Sequence, residues 1–315
     1  MEAGTQATTR ATPGAPALGV AHPHYGERVI KALLFLAAMI SVLTTIGIVL
    51  SLVAETITFF GEVPIVDFLT GTDWAPLFEP ASFGVIPLVT GTLLITAIAL
   101  VVAVPLGLGS AIYLSEYASR RVRKVLKPVL EVLAGIPTIV FGFFALSFFT
   151  PDILRGFLSV DVEIFNALSG GIVMGFMVLP TIASISEDAM SAVPASLREG
   201  AFGLGASRLQ VSLRVVVPAA LSGIVAAIVL GISRAIGETM IVLIAAGQVP
   251  NLGIDPREAY ETLTAFIAAT GKGDVPAGDI GYKTIFAVGT TLFVMTLVMN
   301  AISIRFVRKY RQVYE

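Results

Sequence analysis

EGAFGLGASRLQVSLRVVVP, Glu199–Pro218, lies between two long apolar segments. Its own charges, with Arg198 just before it, mark it as a stretch that meets water. A free loop there would be short and polar. This one carries Ala201, Phe202, Leu204, Leu209, Val211 and Leu213. An apolar, helix-capable loop in water calls for a partner surface. Gly203 and Gly205 are placed to end a short helix and let the chain turn sharply.

The surroundings are those of a membrane protein. Of the 315 residues, 56% are apolar and only 13% charged, and the mean hydropathy is +0.89. Soluble domains carry about 25% charged residues, so this chain cannot cover a soluble surface. The net charge of −2 argues against a nucleic-acid partner, and the lack of cysteine excludes disulfides and thiolate chemistry. The only histidines, His22 and His24, sit near the N-terminus, so no buried histidine metal site is expected. Residues 1–27 read as a disordered tail. Residues 28–315 read as one transmembrane domain with a cytoplasmic loop near 188–215.

Hydropathy predicts six helices, near 32–54, 86–114, 129–149, 167–186, 216–246 and 284–304. Continuous apolarity favours helices over an alternating barrel. The charge-free run Ser82–Ser115 exceeds one simple span, so its first residues, with Pro87, are expected at the interface before the helix. Residues 55–83 hold Glu55, Glu62, Asp67, Asp73 and Glu79 and no Lys or Arg, whereas residues 115–128 hold five basic residues against one acid. With both termini inside, 15 of the 19 Lys and Arg outside the spans fall in the cytoplasm. The positive-inside rule therefore selects N-in, C-in, in a bacterial or archaeal inner (plasma) membrane. The small-xxx-small pattern Gly171–Gly175 permits close helix approach. GKG at 271–273 lacks the rest of a phosphate-cradling nucleotide loop, so ATP hydrolysis is expected elsewhere.

Charges inside the spans are the candidate site. Arg234 and Glu238 fall one turn apart in the fifth expected helix, with the hydroxyls of Ser233 and Thr239 beside them. One charge at a bilayer centre costs ~2.5–3.5 kcal/mol on insertion scales, and an i,i+4 contact returns only ~0.2–0.5 kcal/mol on an exposed helix. A structural lock and a water-accessible anion path both account for them, and the path is the preferred reading. Glu131, four residues after Lys127, is a third intramembrane charge, either an interfacial salt pair or a gate. Pro137 and Pro180 are expected inside the third and fourth spans, as kinks or pivots.

The stretch at 199–218 resembles the cytoplasmic loop of permease subunits of ATP-binding-cassette importers. That loop reads Glu-Ala-Ala, three residues, Gly, nine residues, then Ile-x-Leu-Pro. Glu199, Gly200, Ala201, Gly205, Val215, Val217 and Pro218 occupy those positions, with Gly200 for the first Ala and Val for Ile and Leu. Leu130–Phe144, Val102–Tyr117, Met177–Ile182 and Ser233–Met240 resemble phosphate importer permeases. The segment from Glu261 to Gly289 and the long N-tail are more similar to the PstC type than to its PstA partner. The resemblance implies an all-α type I importer bundle. It also implies a PstA-like second permease, two PstB-like ATPase subunits using ATP and Mg, and a PstS-like phosphate-binding protein outside. In such a complex Glu199, Gly200, Ala201 and Gly205 would dock on the ATPase, and this chain would hold no cofactor or metal. The alternatives are a PstA-type subunit, a permease for another oxyanion, an ion-coupled secondary transporter and a non-transporting scaffold.

Overall fold

The computed structural model describes residues 25–310 except 274 and 277. The expected tail lies outside the described residues up to position 24, and helix already begins at Tyr25, inside the expected tail. The chain divides into two units, residues 1–51 and 52–315. The described part of the first unit is the N-terminal portion of helix α1 (Tyr25–Phe60), which bears exposed apolar side chains all round. A helix apolar on every side belongs in lipid or against other spans.

In the second unit, α2 (Ile65–Thr70) and a two-stranded hairpin, β1 (Trp74–Ala75) with β2 (Ser82–Phe83), lead into α3 (Ile86–Ile112). Pro87 sits in the first turn of α3, where its missing N–H costs nothing, so it opens this helix rather than preceding it. A π-helical segment, Tyr113–Tyr117, extends α3, and α4 (Arg120–Ala134) follows. Next come α5 (Thr138–Phe144), continued by π-type turns to Phe157, and α6 (Ala167–Ser191). Past α7 (Ala195–Gly203), the chain returns through α8 (Arg208–Val211), a π segment and α9 (Val217–Ala219) to α10 (Leu221–Ile236). A π segment (Val242–Ala246), α11 (Leu263–Lys272) and α12 (Ile280–Tyr310) complete it. The side chains of Arg308, Lys309 and Arg311, counted above as inside charges, lie outside the described residues.

Five helices are long and apolar enough to cross a membrane, and a sixth span arises if α8–α9 and α10, bent by 73°, are taken together. Two expected boundaries were wrong. The third span runs Thr138–Phe157 rather than 129–149, because Gly135 and Pro137 split that run into two helices. The fifth is not continuous over 216–246. It bends at Ala220 and stops at Ile236, and helix resumes only at Met240.

The core is built on α3 against α6, with α10 beside them. Ile95, Ala99 and Ala103 meet Met174, Met177, Val178 and Ile182, all buried. The Gly171–Gly175 pattern sets that approach. A Cβ on Gly171 would lie 2.6 Å from Ile98 Cγ2, and one on Gly175 would lie 2.8 Å from the Ala99 carbonyl oxygen. Backbone cannot give way as a flexible side chain can. Gly175→Val is therefore expected to remove most of the folded, detergent-extractable chain, measured by size-exclusion recovery. Gly109→Val, with nothing within 4 Å, should not.

At the end of the bundle carrying the hairpin, Phe59, Phe68, Trp74, Phe83 and Phe266 form an edge-to-face aromatic cluster, with centroids 4.9–6.2 Å apart. Such pairs add about 0.5–1.5 kcal/mol each beyond their burial. They fasten α2 and the hairpin to α11.

Candidate translocation and coupling sites

The break after Ile236 redefines the pair that the sequence suggested. Gly237 caps α10, and the Glu238 carboxylate then turns onto the next helical segment. Its Oε1 accepts from the Met240 N–H at 3.0 Å and the Ile241 N–H at 3.3 Å. Its carbonyl accepts from Thr264 Oγ1 at 2.6 Å. Glu238 is 8% exposed and works as a helix N-cap, satisfying donors that have no intrahelical partner.

Arg234 and Glu238 form no ion pair, because the i,i+4 geometry ends with the helix. The Arg234 Nη1 donates to Thr181 Oγ1 on α6 at 2.8 Å, and the side chain is half-buried. A guanidinium has five N–H donors. This is the one hydrogen bond of the Arg234 side chain among the described residues. Among the described residues the charge forms no ion pair, which suits it to grip an oxyanion in bidentate fashion. Ser233 Oγ donates to Asn300 Oδ1 on α12 at 3.1 Å, and Thr239 Oγ1 makes only a long bond, 3.4 Å, to the Gly237 carbonyl. Thr181 and Asn300 were not singled out in the sequence, since contact between α6, α10 and α12 leaves no local signal.

Glu131 falls outside the helices that are long and apolar enough to cross a membrane. It lies exposed on α4, on the rim of a cavity of about 490 Å³ shared with Arg120, Arg123, Lys124 and Lys127. Pro137 stands at the N-terminal boundary of α5 and kinks no span, because a residue without an N–H is tolerated there. Pro180 is buried within α6, one residue from the Thr181 that holds Arg234.

The expected Lys127–Glu131 pair is replaced by a cluster the sequence did not reveal. Glu187, fully buried near the end of α6, takes Arg123 and, at 2.9 Å, Lys127 Nζ. Lys127 also reaches Asp188 at 2.6 Å. The hydrogen bonds to Asp188 and Glu187 raise the Lys127 pKa above its usual value. None of the α4 side chains is buried, so these charges supply the specific link between α4 and α6. Glu187→Ala leaves Arg123 without a carboxylate partner, while Lys127 keeps Asp188. Both cations are partly exposed, so the loss is that of charge-assisted hydrogen bonds, about 1.5–3 kcal/mol, and the thermal midpoint of the purified complex should fall by several degrees.

At the same end, α7 packs by Ala201 against the cluster around Met190 and Val211. No residue of α7 is buried; Glu199 and Gly200 are exposed and Ala201 is half-buried. The helix ends at Gly203. Leu204 is 91% exposed, and Gly205 takes φ +83°, a left-handed conformation that favours glycine. Arg198 anchors the base: it donates to the Met190 and Val193 carbonyls and pairs with Glu116 at 3.0 Å. The result is an exposed, apolar-tipped helix on a charged anchor.

At the opposite end, Glu261 is 6% exposed in the loop before α11. Burial pushes its carboxyl up to about 7. In the unfolded chain it ionises near 4.5, so folding has no cost from it below that pH. Stability falls as pH rises toward 7, and above 7 the full cost, up to about 3 kcal/mol, applies. Glu261→Gln should therefore raise the thermal midpoint of the purified complex at pH 8 and leave it unchanged at pH 4.5 or below.

Comparison with known proteins accords with this architecture. The chain is 37% identical over 279 residues to the probable ABC transporter permease protein YqgH of Bacillus subtilis, covering 88% of this chain and 89% of that one. It is 36% identical over 278 residues to the phosphate transport system permease protein PstC 1 of Mycobacterium tuberculosis, covering 77% and 81%. Among solved structures, a chain of a bacterial ABC transporter involved in the import of the acidic polysaccharide alginate superposes with a TM-score of 0.64. It covers 90% of this chain and 99% of that chain, and at 15% identity it shows the fold alone. Residues 103–312 match the family described as binding-protein-dependent transport system inner membrane component, and the chain belongs to that family of membrane permease subunits.

Proposed function

We propose that this chain is the PstC-like subunit of a phosphate importer, and that Arg234 is the cation lining its path. The observation that carries the reading is a guanidinium on α10 with no ion pair among the described residues and one hydroxyl contact, to Thr181. An unneutralised charge costs free energy in that setting, and an anion passing through offsets the cost. Phosphate rather than another oxyanion is supported by the named relatives. Glu238 holds the break at Gly237–Thr239 in shape, with Ser233 and Thr239 flanking it, and Pro180 gives α6 a place to flex beside Thr181.

A PstA-like permease completes the path, and two PstB-like subunits bind α7 and use ATP and Mg. A PstS-like protein delivers phosphate from outside. ATP-driven closure would move Glu199–Gly205 and, through Arg198, the ends of α3 and α6. Both termini are cytoplasmic in this reading. Cysteine at Asp73 should then react with an impermeant maleimide on intact cells, and cysteine at Leu204 only after lysis. The reverse pattern contradicts the orientation.

The test of function is uptake by proteoliposomes holding all four components. Phosphate should enter only with ATP inside and the binding protein outside. Transport by the permease pair alone, driven by an ion gradient, would favour a secondary transporter.

A further inference from the structure

At the end of the bundle opposite α7, a cavity of about 350 Å³ opens beside the hairpin. Leu77 and Phe78, 52% and 72% exposed, form its rim. Phe266 and Thr270 are buried in its wall, as are Trp74 and Glu261, 4% and 6% exposed. Trp74 Nε1 is buried without a hydrogen-bond partner, and Glu261 lines the cavity with no ion pair among the described residues. No other described residue lining the cavity is charged. A buried donor left unpaired in a native fold needs an explanation, and a carboxylate in a cavity wall without an ion pair can meet a cation there.

An oxyanion does not fit, because the only charge offered is negative. A metal ion does not fit either: among the described residues no group of three ligating side chains is close enough to hold one. Aromatic walls with a carboxylate among the deepest residues do match a long basic side chain, whose apolar stem packs on rings while its charged head meets the acid. The neighbouring surface agrees. A second cavity, of about 410 Å³, is lined by Asp67 and Asp73 together with Glu62, which Lys283 pairs at 2.6 Å, and residues 55–83 contain no Lys or Arg.

We propose that the Trp74–Glu261 cavity receives a lysine or arginine side chain of the extracytoplasmic binding protein, with the Glu261 carboxylate as counter-ion. The Trp74 N–H is then free to donate to a carbonyl of the inserted segment. The proposal rests on the reading of this chain as an importer subunit with the hairpin outside. Glu261 is kept costly in the free permease so that its charge is met on docking.

The experiment measures the Kd of the complete transporter in nanodiscs for its own phosphate-loaded binding protein. Glu261→Gln, almost the same size, should raise Kd at least tenfold at pH 8. The wild-type Kd should itself rise between pH 8 and pH 6 as Glu261 protonates, and the variant should lose that rise. A variant with wild-type Kd overturns the proposal, as does a wild-type Kd unchanged between the two pH values, which requires no variant. If the wild-type complex fails to bind the protein at all, the importer reading falls and the proposal with it.

Discussion

Arg234→Gln abolishes phosphate uptake, by at least a hundredfold, while the complex is recovered intact. The side chain holds α10 to α6 through one hydrogen bond to Thr181, and glutamine keeps a donor amide for it. What glutamine cannot supply is the positive charge and the paired N–H groups that meet an oxyanion. Arg234→Lys restores charge but not the planar fork, so uptake should stay low with a raised KM. Glu238 answers differently because its carboxylate caps a helix. Glu238→Gln retains an acceptor for the Met240 and Ile241 N–H groups, whereas Glu238→Ala loses it, at about 0.5–2 kcal/mol. The alanine variant should therefore be the poorer in thermal stability. Normal uptake by an assembled Arg234→Gln complex would make the residue scaffolding.

Gly205→Glu is expected to separate the permease from its ATPase. At φ +83° a side chain is strained, and the turn that presents Leu204 would shift. Nothing lies within 4 Å of Gly205 or Gly200 in this chain, so neither the added side chain nor Glu199→Lys should disturb the bundle. Pull-down of the ATPase should fall more than tenfold in Gly205→Glu and less in Glu199→Lys, with membrane levels of the permease unchanged. Normal pull-down and normal uptake in both variants would remove the coupling role from α7.

The exposed helix α7 and its glycine end were legible because their signals are local. Apolar residues in a charged loop need a partner, and Gly203 and Gly205 mark its end without reference to the rest of the chain. Spans were legible by length and apolarity, except where a short break hides in an apolar run. Gly135–Pro137 is such a break, and the hydropathy around it carried Glu131 into the membrane. Gly237–Thr239 is another: apolar residues continue on both sides, so the pattern reads as one helix and Arg234 and Glu238 appear as a pair. The Glu187 cluster could not be read at all. Glu187 lies about 60 residues from Arg123 and Lys127 in sequence, and its burial depends on α4 folding back over the end of α6. The same holds for Glu261, whose setting comes from the hairpin nearly 200 residues earlier.

The most direct test of the central claim is transport by the reconstituted complex of both permeases, two ATPase subunits and the binding protein. Radiolabelled phosphate uptake should require ATP and the binding protein, and the Arg234→Gln complex should bind that protein yet move no phosphate. Equal uptake by wild type and Arg234→Gln, or uptake of another oxyanion in preference to phosphate, would contradict the account.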